Sequence, residues 1–208
     1  MSGKGSLVAL VDAALRDVDA VEAVYQPIVE LATGFAVGFE ALARWLAALG
    51  VDVGAVFAAA KSMGTLMEVE WACRSAALMG ALDAALGTQA TLFVNVEPAS
   101  VSLGWPPPPL ITSILHRAST ELRVVIEITE RALLENPAAL LATVSWARRH
   151  GCGIALDDVG ANPNTVALLP FVYPDVIKLD AALVQDDLTR DAARTLAAVW
   201  RMLNTPEP

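Results

Sequence analysis

The sequence predicts an α/β fold: a mostly parallel sheet covered by helices, with one antiparallel pair at its start. Two patterns in the 208 residues predict it. Short apolar runs alternate with amphipathic stretches, and every connection after the first is long enough to carry a helix. The candidate strands are Val24–Leu31, Ala36–Ala43, Thr91–Val96, Val124–Thr129, Gly153–Asp157 and Val176–Leu179.

The first two strands are joined across Ala32-Thr33-Gly34, too short for a parallel crossover, so they form an antiparallel hairpin. Thr65 followed by Glu68 has capping-box spacing and opens a helix running to about Leu86, with Gly87 as its stop. Asn136-Pro137 supplies an N-cap and a first-turn proline for another helix, with Leu140, Leu141, Val144 and Ala147 on its inner face. A last helix starts near Asp187, buries Leu188, Ala192, Leu196, Val199 and Leu203, and ends at Asn204 and Pro206. Two segments read as irregular: Leu103–Pro109, which ends in four consecutive prolines, and Val159–Thr165.

Length favours one large domain, with residues 1–20 as a lead segment or helix and residues 21–208 as the folded body. Hydrophobic residues make up 55% of the chain, but much of that is alanine. No apolar stretch approaches the ~18–20 residues that span a bilayer, so no membrane segment is expected. Met1–Ser6 is polar and carries no apolar signal core, which points to a cytoplasmic protein. A net charge of −9 argues against a nucleic-acid partner, because such binding rests on Lys and Arg neutralising phosphates. A small anionic ligand remains compatible with that charge if a metal supplies the positive charge. Cys73 and Cys152 form no CxxC or Cys/His pattern and read as reduced thiols.

The chemistry gathers at the C-terminal ends of the candidate strands: Glu40, Asn95, Glu127, Asp157 with Asp158, and Lys178. Taken singly, each is a solvated edge residue, an ion-pair partner, a helix cap or a ligand. In βα barrels this rim carries the active site, because the loops there converge. Two carboxylates ~5 Å apart repel by about 3 kcal/mol at an effective dielectric near 20, so protons or cations must relieve them. An all-oxygen set without His or Cys suits Mg²⁺ or Mn²⁺ rather than zinc. Adjacent aspartates can reach two metals, which fits in-line displacement at phosphorus. His116 and His150 fall in or beside helices, away from this set.

These residues sit in motifs. The run "YQPIVELATGFAVGFEALARW" resembles the opening of the EAL domain, the bacterial module that hydrolyses cyclic di-GMP to linear pGpG. "FVNVEP", "VVIEITE", "IALDDVG" and "VIKLD" resemble its later strand-end motifs, in the same order, over about residues 22–184. The resemblance implies a TIM-like (β/α)8-type barrel with an antiparallel early strand. It implies that Glu40, Asn95, Glu127, Asp157 and Asp158 hold two Mg²⁺ or Mn²⁺ ions, and that Ca²⁺ binds without supporting turnover. It further implies catalytic roles for Glu40, Asp157 and Lys178, the lysine placing the attacking water. Gln26 would contact guanine, Arg44 the phosphate, and Glu130 would brace the loop after the paired aspartates. Cyclic di-GMP and a second copy of the chain are the implied partners.

The chain departs from the family pattern in two places. The loop that reads D-D-F-G-T-G-Y-S-S in the family is Asp157-Asp158-Val159-Gly160-Ala161-Asn162-Pro163-Asn164-Thr165 here. Ala161 lacks the hydroxyl, Pro163 lacks a backbone donor, and Asn162 stands in for a glycine. The sequence also stops at Pro208, after the sixth helix, so the barrel is expected to be truncated to about six strands. The family's last two βα units, with a base glutamate and a substrate-contacting glutamine, are then expected to be missing. That predicts a weak or inactive phosphodiesterase, or a non-catalytic receptor or interaction module.

Overall fold

A computed structural model describes residues 3–45, 50–98, 109–160, 169–181, 183 and 190–203. Six strands lie in chain order in one sheet: β1 (Val21–Val29), β2 (Ala36–Trp45), β3 (Thr91–Asn95), β4 (Arg123–Thr129), β5 (Gly153–Val159) and β6 (Val176–Leu179). β1 and β2 pair antiparallel, as the short turn requires, while β2 with β3 and β5 with β6 pair parallel. The chain divides into two compact units: Met1–Val96 with Leu103–Val125, and Glu97–Ser102 with Ile126–Pro208.

The first unit opens with α1 (Gly3–Arg16), which is part of its core. Leu10, Val11 and Ala14 lie on one helical face and are buried with Trp45, Val56, Ala60 and Val69. Trp45 meets Phe57 edge to face, with centroids 6.3 Å apart. α2 (Val53–Met63) starts where Asp52 accepts a bond from the Gly54 amide and stops at Gly64, whose φ of 73° suits a residue without Cβ.

α3 (Leu66–Asp83) begins at Thr65 as expected, but without the capping box. The Thr65 hydroxyl turns back toward the Ala60 carbonyl at the end of α2. The helix also stops short of Leu86: Ala85 takes a left-handed conformation and the Leu86 amide bonds Ala81 O. Inside α3, Arg74 and Glu70 form a buried ion pair at 3.1 Å, and the guanidinium lies 4.3 Å from the centroid of the Trp71 ring. Tyr25 of β1 anchors on this helix, its hydroxyl donating to Ala77 O at 2.8 Å. α4 (Pro109–Glu121) takes the last proline of the run as its first residue, where the missing N–H costs nothing, so Pro109 belongs to a helix rather than to an irregular segment.

In the second unit, α5 (Ala132–Glu135) precedes α6 (Pro137–Arg149). Asn136 caps α6 through its side chain, accepting from the Ala139 amide at 3.1 Å, as its pairing with Pro137 predicts. The inner face of α6 is Ala139, Leu140, Thr143 and Ala147, whereas Leu141 faces outward. Thr143 can be buried because its hydroxyl donates to Ala139 O. Asp175, just before β6, accepts from the Ile154 amide and from Arg148, each at 2.7 Å, and so ties the starts of β5 and β6 together. After α7 (Leu169–Val172) and β6 comes α8 (Arg190–Leu203), which buries Val199 and leaves Leu196 partly covered. Leu188, Asn204 and Pro206 lie outside the described residues, as do Leu103–Pro108 and Ala161–Thr165. Both cysteines are free thiols, and no described helix is long and apolar enough to cross a membrane.

Candidate functional site

In the first unit the hairpin register brings three candidate residues to one face. Gln26 pairs with Glu40 and Glu22 with Arg44, and directly opposed residues of an antiparallel pair point the same way. Alternation along β1 and β2 then puts Gln26, Glu40 and Arg44 on a common face. Glu40 is in register with Phe93 of β3, so the face continues two residues on to Asn95. Asn95 Nδ2 donates to Glu40 Oε1 at 3.2 Å. Gly38 permits this pairing, since a Cβ there would strike the Phe93 ring and Thr91 O. Arg44 is half-buried and donates through Nη1 to Ala43 O, while Gln26 is exposed.

In the second unit a buried acid sits inside an apolar strand. The side chain of Glu127 is 0% exposed, flanked in β4 by buried Ile126 and Ile128. A carboxylate so placed needs a counter-charge. Lys178 of β6 provides it: Nζ lies 2.8 Å from Glu127 Oε1 and 3.4 Å from Asp157 Oδ1.

Asp157 and Asp158 occupy a break in the β5–β6 ladder. Leu156 pairs with Ile177 and Val159 with Leu179, so β5 holds one more residue than β6 in this interval. Asp158 takes up the extra residue at a φ of 56°. A bulge of this kind re-aims side chains that a regular strand would send to opposite faces. Burial pushes the Asp158 carboxyl above its ordinary range, with Asp157 and Asp180 adding to the effect and Lys178 opposing it.

The turn beyond the bulge is held by Glu130. Its amide donates to Asp157 O at 2.9 Å, and its buried carboxylate accepts from the Gly160 amide. Gly160 has a φ of 103°, and a Cβ at that position would run into Leu183. The residues after Gly160 that depart from the family pattern, Ala161, Asn162, Pro163, Asn164 and Thr165, lie outside the described residues.

The donor chemistry fits a hard divalent cation: Glu127 and Asp157 already hold one positive charge between them, and every candidate ligand offers oxygen. Among the described residues, no three acids, cysteines or histidines converge into a complete metal cage. His116 lies within α4, and His150 ends α6 with its ring nitrogen on Trp146 O. The sequence motifs pointed to each acid separately. The bulge depends on long-range pairing with β6, and no local pattern marks it.

Comparison with known proteins places these features in a family. Residues 10–205 match the model of the EAL domain. The chain is 30% identical over 206 residues to an uncharacterized protein of Azorhizobium caulinodans, covering 92% of this chain and 27% of that protein. It is 34% identical over 170 residues to the cyclic di-GMP phosphodiesterase RocR of Pseudomonas aeruginosa, covering 79% of this chain and 43% of RocR. Among solved structures it matches the calcium and cyclic di-GMP complex of Klebsiella pneumoniae BlrP1 with a TM-score of 0.74 at 28% identity, over 88% of this chain and 46% of that one. The chain thus spans less than half the length of each of these three proteins. The likeness carries the fold class with it, an α/β barrel of the TIM type.

Proposed function

The chain belongs to the EAL domain family, and on that premise we propose that it is a metal-dependent cyclic di-GMP phosphodiesterase module that opens the cyclic dinucleotide to linear pGpG slowly. The observation that carries this reading is the Lys178 ammonium set between Glu127 and Asp157, a fully buried and a largely buried acid on the neighbouring strands β4 and β5. Glu40, Asn95, Glu127, Asp157 and Asp158 would hold Mg²⁺ or Mn²⁺. Such ions, when bound, lower the pKa of water and neutralise charge on a phosphodiester. Ca²⁺ suits the same oxygen donors and would bind without turnover.

The chain's own residues do the rest. Arg44 binds phosphate oxygens through its planar fork, a geometry Lys cannot reproduce. Gln26, opposite Glu40 in the hairpin, meets the guanine edge. Lys178 orients the attacking water, and Glu130 holds the turn at Gly160. The proposal includes a cytoplasmic setting and pairing with a second copy.

Slow turnover follows from the loop: Ala161 and Pro163 remove a hydroxyl and an amide from a segment that adjoins the paired aspartates. The same substitutions favour a second reading, a receptor that binds cyclic di-GMP without cleaving it. Incubation with cyclic di-GMP and Mn²⁺ tests the first. Release of pGpG by the wild type but not by Glu127→Gln supports it. Binding in Ca²⁺ with no product in Mn²⁺ supports the receptor, and neither binding nor product rejects both.

A further inference from the structure

We propose that Lys178 is a built-in placeholder cation, occupying the space between the Glu127 and Asp157 carboxylates in the metal-free chain and yielding it when a divalent ion binds. This rests on reading those two acids as metal ligands, and it adds a device that sets how tightly the metal is held.

The geometry is that of a cation site whose cation is tethered to the chain. One ammonium bridges carboxylates from two different strands, at 2.8 Å and 3.4 Å. Glu127 cannot be left bare, because its side chain is fully buried between isoleucines. In the metal-free chain Lys178 therefore keeps the acids in place and prevents their mutual repulsion from opening the site.

Three features make the occupancy reversible. The lysine stem is long and flexible, and its head is a point charge rather than a bidentate fork. The Lys178 side chain keeps 26% of its surface exposed, so it has a route toward water, whereas Glu127 has none. Asp157, in the bulge of β5, is 21% exposed and provides the entry side for an incoming ion. A divalent ion seeks the same space between the two carboxylates, and at that distance its double charge repels the ammonium. Binding must therefore displace the ammonium, and the apparent affinity is lowered by the fraction of chains in which Lys178 holds the site. A purely structural ion pair would stay in place when metal arrives.

Calorimetric titration of the metal-free chain with Mn²⁺ alone tests this, using wild type, Lys178→Met and Lys178→Arg. Lys178→Met is expected to bind Mn²⁺ about 10-fold more tightly than wild type. Its metal-free melting temperature is expected to be lower, and to rise more on adding Mn²⁺. Lys178→Arg, which keeps the charge, should stay near wild type. Equal or weaker Mn²⁺ binding by Lys178→Met overturns the placeholder role while leaving the metal site intact. No Mn²⁺ binding by any of the three overturns the metal reading, and this proposal with it.

Should Lys178→Met fail to fold without metal, the wild type answers alone. Its lysines are Lys4, Lys61 and Lys178, so trace acetylation read by mass spectrometry resolves each one. Lys178 should be protected relative to Lys61 without metal and become more reactive when Mg²⁺ is added. Protection that Mg²⁺ leaves unchanged or increases contradicts displacement.

Discussion

Asn95 Nδ2 donates to Glu40 Oε1 across 3.2 Å, linking the neighbouring parallel strands β3 and β2. The bond sets the orientation of the Glu40 carboxylate on the face it shares with Gln26 and Arg44. Groups that orient a ligand typically tune metal affinity by about 10–100-fold. Because Asn95 is also a proposed ligand through its own side-chain oxygen, Asn95→Ala should weaken Mn²⁺ binding by at least that range while changing stability by only about 1 kcal/mol, since the pair is exposed. Calorimetry and urea denaturation measure the two effects separately.

Glu130 is the buried latch of the turn at Gly160. Glu130→Ala leaves the Gly160 amide without this acceptor, which should cost about 1–3 kcal/mol and speed hydrogen exchange of that amide. Glu130→Gln keeps an oxygen acceptor and should lose less. Equal losses in the two variants would show that the carboxylate acts through its charge rather than through this bond.

Tyr25 and Gly80 are fitted to each other. A Cβ at residue 80 would collide with the Tyr25 hydroxyl, which donates to Ala77 O. Gly80→Ala should therefore destabilise the chain by about 1–3 kcal/mol, despite the better helix propensity of alanine. Adding Tyr25→Phe should recover part of that loss, giving a non-additive double-mutant cycle in urea.

The general layout was readable from the sequence because it rests on local signals. The three-residue connection forced the hairpin, and Asn136-Pro137 marked the start of α6. The failures also have physical causes. Thr65 sits where a capping box belongs, but the end of α2 offers its hydroxyl a carbonyl instead. Leu141 matches the helical period yet faces outward, while Thr143 goes inside because its hydroxyl finds an acceptor one turn back. Core membership of α1 was hidden because its partners, Trp45, Val56 and Val69, come from distant segments. Glu127, Asp157 and Asp158 fall in the last three residues of β4 and β5, as strand-end reading expects, whereas Glu40 lies mid-strand, because β2 runs on to Trp45. The bulge that houses Asp157 and Asp158 is a property of pairing with β6 and leaves no trace in β5 alone.

Alkali should destabilise the fold. Burial, followed by Glu70, pushes the Cys73 thiol up to about 12, and burial pushes Cys152 to about 11. Burial, then Asp83 and Glu22, raises the Tyr25 phenol to about 12. Each group keeps its proton in the folded chain at pH values where the unfolded chain has already lost it. Their contribution to stability is full below the ordinary thiol and phenol values and disappears as pH climbs toward 11 and 12. The urea midpoint should fall between about pH 8 and about pH 10.5. Near pH 8 both thiols should react slowly with a disulfide reagent until denaturant is added.

The most direct test of the proposed metal-dependent cyclic di-GMP site is calorimetric titration of the chain with cyclic di-GMP in Ca²⁺, repeated with Glu127→Gln and with chelator. Saturable binding to the wild type, lost in the variant and in chelator, is the predicted result. Undiminished binding without metal, or none by the wild type in Ca²⁺, would contradict it.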